Sequence, residues 1–147
     1  VHDLDYIIAP VGGGGLLSGT ALVTSQMSRE TKVIGAEPAG ADDAYRSLQA
    51  GEIIPSENPD TIAEGLLTSL GDKTFPIIKE LAEEIITVSD EEIIEAMRLI
   101  WERMKIVAEP SAATGLAAVM SQQEIFENSR VGIIVSGGNV DLGSLPF

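Results

Sequence analysis

The chain has 147 residues, 44% hydrophobic and 22% charged, which is the composition of one globular domain with a single sizeable core. Twenty-three acids against nine bases give a formal charge of −14; this argues against a nucleic-acid binder, which needs a basic stripe, and leaves no polybasic patch for a lipid surface. Without cysteine there are no disulfides, thiolate metal sites or thiol nucleophile, and no apolar run approaches the roughly 20 residues of a membrane span.

The first residues do not resemble a signal peptide, and a cytoplasmic protein is the expectation. The chain enters a strand almost at once and has no starting methionine, so it is expected to be the later part of a longer protein. The first apolar run, Leu4–Val11, reads as a strand leading into four consecutive glycines, Gly12–Gly15. A helical run follows from Leu16 to about Gln26. Glycine inside an element costs roughly 0.5–1 kcal/mol relative to alanine, so four in a row need a reason. Between a buried strand and a helix start, bare N–H groups and the partial positive charge of the helix end make an anion cradle. A flexible linker would not be bracketed in this way. A P-loop fails, because no Gly-Lys-Ser/Thr follows. The dinucleotide fingerprint fits in part: Gly13-x-Gly15-x-x-Ser18 lacks the third glycine, yet Glu37 ends the next strand where a ribose-binding acid would stand.

That second strand, Lys32–Glu37, opens the segment "AEPAGADDAYRS", residues 36–47. Glu37 and Asp43 stand six residues apart across a Pro-Ala-Gly turn. With an intervening backbone carbonyl they could offer oxygens to one hard cation. Asp42 and Asp43 fit equally well as caps of the helix that follows. Residues 50–60, polar with two prolines, read as a surface loop. A helix over 75–84 carries Ile77, Ile78 and Leu81 on one face, and Ile85–Val88 is the third strand.

Ser89 then starts the clearest helix, "SDEEIIEAMRLIWERMK", with Glu92 at the capping-box position and acids in the first turn. Its stripe of Ile93, Met97, Ile100, Trp101 and Met104 is expected to face the core. Another helix opens at Glu109-Pro110, with proline at its favoured first position and small residues after it. The fourth strand, Val131–Val135, ends at Ser136-Gly137-Gly138-Asn139. Near-continuous apolar strands alternating with helices predict α/β: one domain, 1–147, with a mostly parallel sheet and helices on both faces. Ligands in such sheets bind beyond the carboxyl ends of the strands, so Ser136 and the first-loop glycines could face one crevice. An ordinary strand-exit turn would also favour Gly-Gly-Asn.

Taken in order, "PVGGGGLLSG", "AEPAGADDAYRS", "TIAEG", "WERMKIVAEPSAATG" and "VSGGNVDL" resemble the fold-type II pyridoxal-phosphate enzymes. Within them the chain is most similar to the serine racemase and serine/threonine dehydratase group, and "ADDA" favours the racemase-like branch. The resemblance runs from Leu4 nearly to Leu142. It implies the large-domain portion of a tryptophan synthase β-like fold. By the same resemblance, Gly12, Gly13, Gly14, Gly15 and the N–H of Leu16 cradle the phosphate of pyridoxal 5'-phosphate, and Ser136 hydrogen-bonds the pyridine nitrogen. Glu109 lies near the ring and Gly65 near the cofactor. Glu37, the Ala41 carbonyl and Asp43 match the group's Mg²⁺ or Ca²⁺ site, where Mn²⁺ can also bind. Lys105 and Asn139 match positions that bind ATP between the subunits of a homodimer, and the implied substrate is a small amino acid of the serine or threonine type. One departure is large. The group's Schiff-base lysine stands in a Ser-x-Lys-x-Arg-Gly segment, and none of Lys32, Lys73, Lys79 and Lys105 has that context. The resemblance therefore places the catalytic lysine upstream. Two other readings stand beside it: a Rossmann-like nucleotide-binding module and a non-catalytic interaction module.

Overall fold

A computed structural model describes residues 3–147; the first two residues of the expected domain lie outside the described residues. Four parallel strands, β1 (Tyr6–Pro10), β2 (Lys32–Pro38), β3 (Glu84–Val88) and β4 (Val131–Ile133), form one sheet in the order β3-β2-β1-β4. Between them run α1 (Gly15–Met27), α2 (Asp43–Ala50), α3 (Thr74–Leu81), α4 (Asp90–Leu99), α5 (Pro110–Ser121) and the single turn α6 (Gln123–Phe126). The strand pleat divides the core in two. Ile8, Ile34, Ala36, Ile86 and Val88 point to the face covered by α4 and α5. Ala9, Val11, Val33 and Ile85 point to the face covered by α1 and α3. Both faces are buried, which is why the strands read as apolar runs without alternation. The expected α/β fold is the one observed.

The order of strands fixes where a ligand can sit. From β1 the chain steps outward to β2 and β3, then returns to place β4 on the other side of β1. The reversal point lies between β1 and β4, and a crevice forms there beyond their carboxyl ends. β1 runs into Gly12–Gly15 and β4 leads to Ser136, so these two loops flank the reversal point.

Several boundaries differ from the sequence expectations, each for a physical reason. β1 begins at Tyr6, not Leu4, and β4 pairs only over Val131–Ile133. One further bond, Ile134 N–H to the Ile8 carbonyl at 3.0 Å, continues that ladder before the chain turns away toward Ser136. The helix expected over 75–84 ends at Leu81, because Glu84 already pairs with Ile34 in the sheet. The helix from Ser89 has its full capping box: Glu92 N–H donates to Ser89 Oγ, and Ser89 N–H to Glu92 Oε2 at 2.8 Å. It does not continue regularly to Lys105. Residues Ile100–Met104 widen into a π-turn, and Lys105 ends it in the left-handed region at φ 59°. A wider turn shifts the phase of the stripe. Met104 consequently faces solvent at 55% exposure, while Trp101 packs beside the core and donates its indole N–H to the Ala108 carbonyl at 2.8 Å. No helix among the described residues is long and apolar enough to cross a membrane.

Candidate active site

At the end of β1 the backbone turns through Gly12–Gly14 and enters α1 at Gly15. The N–H groups of Gly12, Gly13 and Gly14 have no acceptor among the described residues. At the start of α1 the N–H groups of Gly15, Leu16 and Leu17 lack an intrahelical partner by helix geometry, and Ser18 makes the first such bond, to the Gly14 carbonyl at 2.9 Å. A cluster of unpaired donors at a helix N-terminus is the arrangement that binds a phosphate. Gly14 is required sterically, and Gly12 is closely walled. Gly14 sits at φ 83°, and a Cβ there would meet Thr74 Oγ1, Ile78 Cδ1 and Leu70 Cδ2 at 2.7–2.8 Å. A Cβ on Gly12 would lie 3.2 Å from the Gly65 carbonyl oxygen and the Leu66 Cα. At Gly15, by contrast, a Cβ would meet no atom within 4 Å and would project into open space. The loop is packed behind and open in front.

A cleft of about 250 Å³ borders the loop, and its lining includes Gly12–Gly15, Leu16, Gly65, Glu109, Ser111 and Ser136. The structure thus brings together every residue that the sequence assigned to the cofactor. Gly65 is held by Ser111, whose Oγ accepts the Gly65 N–H at 3.0 Å. The turn before it is anchored to α4: Thr61 Oγ1 and the Ile62 N–H both donate to the Asp90 carboxylate. Sequence reasoning missed Ser111 and Asp90 as supports. Ser111 stands two residues after Glu109 in the small-residue helix, and the capping pattern marks Asp90 only as a first-turn acid. None of the four lysines lines this cleft. Lys32 pairs with Glu83 at 2.8 Å, and Lys79 and Lys105 donate to the Gly51 and Glu102 carbonyls.

A wider cavity of about 640 Å³ adjoins it through Glu109 and Ser111 and contains Asn139. Lys105 does not line that cavity, so within this chain the two residues assigned to a nucleotide do not meet in one pocket.

Glu37 and Asp43 lie apart from the cleft lining, buried at 1% exposure each. Neither works as the sequence's nucleotide or cap readings expected. Both Glu37 oxygens face α2, where they accept the N–H groups of Ala44 and Tyr45 at 2.9 Å. A carboxylate so committed is not the free ribose acid of a dinucleotide site, which removes the main support for that reading. Asp42 makes no side-chain cap; it accepts instead from Arg46 Nε at 2.7 Å. Asp43 Oδ2 accepts the Leu70 N–H at 3.0 Å, and its other oxygen is buried with no partner. Burial pushes the Glu37 carboxyl up to about 8, against the two N–H bonds and helped by the charges of Asp43 and Asp42. Burial also raises the Asp43 carboxyl. A buried carboxylate pair with an orphaned oxygen on Asp43 suits a hard cation that takes oxygen ligands. No group of three or more His, Cys, Asp or Glu gathers for a metal among the described residues, and this donor set does not need one.

Comparison with known proteins identifies the family. The family model of pyridoxal-phosphate dependent enzymes matches residues 2–137. The chain is 52% identical over 147 residues to the beta-hydroxyaspartate dehydratase of Paracoccus denitrificans, covering 100% of this chain and 47% of that protein. It superimposes on the crystal structure of serine racemase from Dictyostelium discoideum with a TM-score of 0.91 and 56% identity, over 97% of this chain and 46% of that one. For the T.th. threonine deaminase the TM-score is 0.89 at 45% identity, over 94% of this chain and 51% of that one. The chain spans about half the length of the curated relatives it matches.

Proposed function

The chain belongs to the pyridoxal-phosphate dependent enzyme family, and we propose that it forms the phosphate-binding half of a serine racemase or hydroxy-amino-acid ammonia-lyase. One observation carries this reading. The unpaired N–H groups of Gly12–Gly14 open onto the same cleft as Ser136, at the reversal point of the sheet. When bound, pyridoxal 5'-phosphate supplies an electron-withdrawing ring that weakens the Cα–H bond of an amino acid. This chain's own residues would hold it. The N–H groups of the glycine loop and Leu16 would bind the phosphate. Ser136 offers the ring nitrogen a neutral hydroxyl, which unlike a carboxylate does not favour protonation there and leaves a milder electron sink. Glu109 and Gly65, which line the same cleft, would border the ring. We place the catalytic lysine in a segment outside this chain, a reading supported by the cleft lining, which includes none of the four lysines here.

Racemisation or loss of a β-hydroxyl from serine, threonine or 3-hydroxyaspartate fits that set. We propose further that Glu37, Ala41 and Asp43 hold Mg²⁺, Ca²⁺ or Mn²⁺ as a structural ion, and that the whole enzyme is a cytoplasmic homodimer. ATP between subunits at Lys105 and Asn139 rests on the resemblance alone. In the test, the whole protein takes up pyridoxal 5'-phosphate and releases ammonia from L-serine or L-threonine, while the isolated chain releases none. Turnover by the isolated chain overturns the assignment of the lysine. Ser136→Asp in the whole protein should retain cofactor and lower elimination by about tenfold, equivalent to about 1.4 kcal/mol of barrier. Unchanged kinetics would remove Ser136 from the ring nitrogen.

A further inference from the structure

Behind the glycine loop lies a turn that belongs to neither the cofactor cleft nor the carboxylate pair, yet touches both. Thr74, the first residue of α3, places its Oγ1 2.8 Å from the Gly13 carbonyl oxygen. The Gly71 N–H points at the same carbonyl, at 3.3 Å, and also donates to Thr74 Oγ1 at 3.1 Å. One residue earlier, the Leu70 N–H donates to Asp43 Oδ2. The Leu70 side chain packs against the site a Gly14 Cβ would need.

We propose that Thr74 is a positioning residue that aims the Gly14 N–H into the cleft and couples the glycine loop to the Glu37–Asp43 pair through Leu70 and Gly71. The carbonyl of Gly13 and the N–H of Gly14 belong to one planar trans unit, so they point in opposite directions. Holding the carbonyl back against Thr74 and Gly71 turns the N–H forward. Glycines on both sides of that unit would otherwise let the plane rotate, because neither residue restricts its own dihedrals. The hydroxyl supplies the restraint that the sequence withholds. At its other end the turn hangs on Asp43, whose second oxygen is the orphaned one. A cation that draws Asp43 toward it therefore sets the position of Leu70 and Gly71, and through them the Gly13 carbonyl.

This inference rests on the phosphate reading of the loop, and the test separates the two. In the whole protein, binding of pyridoxal 5'-phosphate and the ³¹P resonance of its bound phosphate are measured with Ca²⁺ and with chelator. Wild type should bind more tightly, and shift its resonance, with Ca²⁺. Thr74→Val should weaken binding about fivefold, the share of one hydrogen bond, and lose the response to Ca²⁺. Thr74→Ser, which keeps the hydroxyl, should restore both. Equal binding and equal Ca²⁺ response in wild type and Thr74→Val overturn both the positioning role of Thr74 and the coupling, and leave the phosphate reading standing; no cofactor binding by wild type overturns the phosphate reading with them. If Thr74→Val does not fold, amide exchange of wild type decides. Ca²⁺ should slow exchange at Gly13–Leu16 together with Leu70–Thr74, and an unchanged glycine loop overturns the proposal.

Discussion

Gly14→Ala is expected to strip the whole enzyme of most of its cofactor affinity and to lower its stability by about 3 kcal/mol. Two costs add. An L-residue in the left-handed region costs about 1–2 kcal/mol, and forcing a methyl into a packed wall about 1–3 kcal/mol. Both apply here, since Gly14 has φ 83° and its Cβ would sit within 2.8 Å of Ile78 and Leu70 side-chain carbons. Gly15→Ala is the control. Gly15 is the first residue of α1, its Cβ would meet nothing within 4 Å, and alanine is the better helix former by about 1 kcal/mol. That variant should melt no lower than wild type yet bind pyridoxal 5'-phosphate more weakly, because the methyl occupies the space where the phosphate fits. Thermal melting with cofactor titration separates the two effects. Wild-type melting and binding in Gly14→Ala would show that the loop is not built as described.

The contrast between those neighbours shows what could be read from the residues alone. Four glycines after an apolar strand gave away the cradle, because no other residue type offers so many unobstructed N–H groups. Which glycine is sterically required depends on Leu70, Thr74 and Ile78, some 60 residues away, and no local pattern reveals that. The same limit applies to the supports. Ser111 and Asp90 act on Gly65 and Thr61 across the fold, so their roles are tertiary facts. Glu37 shows a further limit. Its spacing from the glycine loop suited a ribose ligand, but burial and two N–H donors from α2 turned the carboxylate inward. The π-turn at Ile100–Met104 escaped periodicity for a similar reason, since the helix widens where Trp101 reaches the Ala108 carbonyl. Apolar runs and caps were legible because they are local. Strand ends, where pairing partners decide, were less so.

Removing divalent cations should lower the melting temperature of the whole protein, with the loss growing as pH rises from about 5 to 8. In cation-free protein, burial lifts Glu37 from its ordinary 4.5 to about 8. Between those values the folded state keeps a proton that the unfolded chain has released. The folded state then binds more protons, so stability falls as pH rises through the window and levels off above it. A bound cation replaces that proton and abolishes the penalty, because its ligands must be deprotonated. The gap between Ca²⁺-loaded and chelated protein should therefore be small near pH 5 and widest near pH 8, and added Mg²⁺ or Ca²⁺ should close it. Asp43→Ala deletes the orphaned oxygen and the acceptor of the Leu70 N–H, so it should abolish the cation response and lower activity with it. Asp42→Ala loses only an exposed, solvent-screened ion pair with Arg46 and should keep the response intact. Melting curves across pH, with and without chelator, check all three proteins. Equal cation sensitivity in wild type and Asp43→Ala would sink the carboxylate pair as a metal site, because the ligand with an unspent oxygen would then contribute nothing to binding.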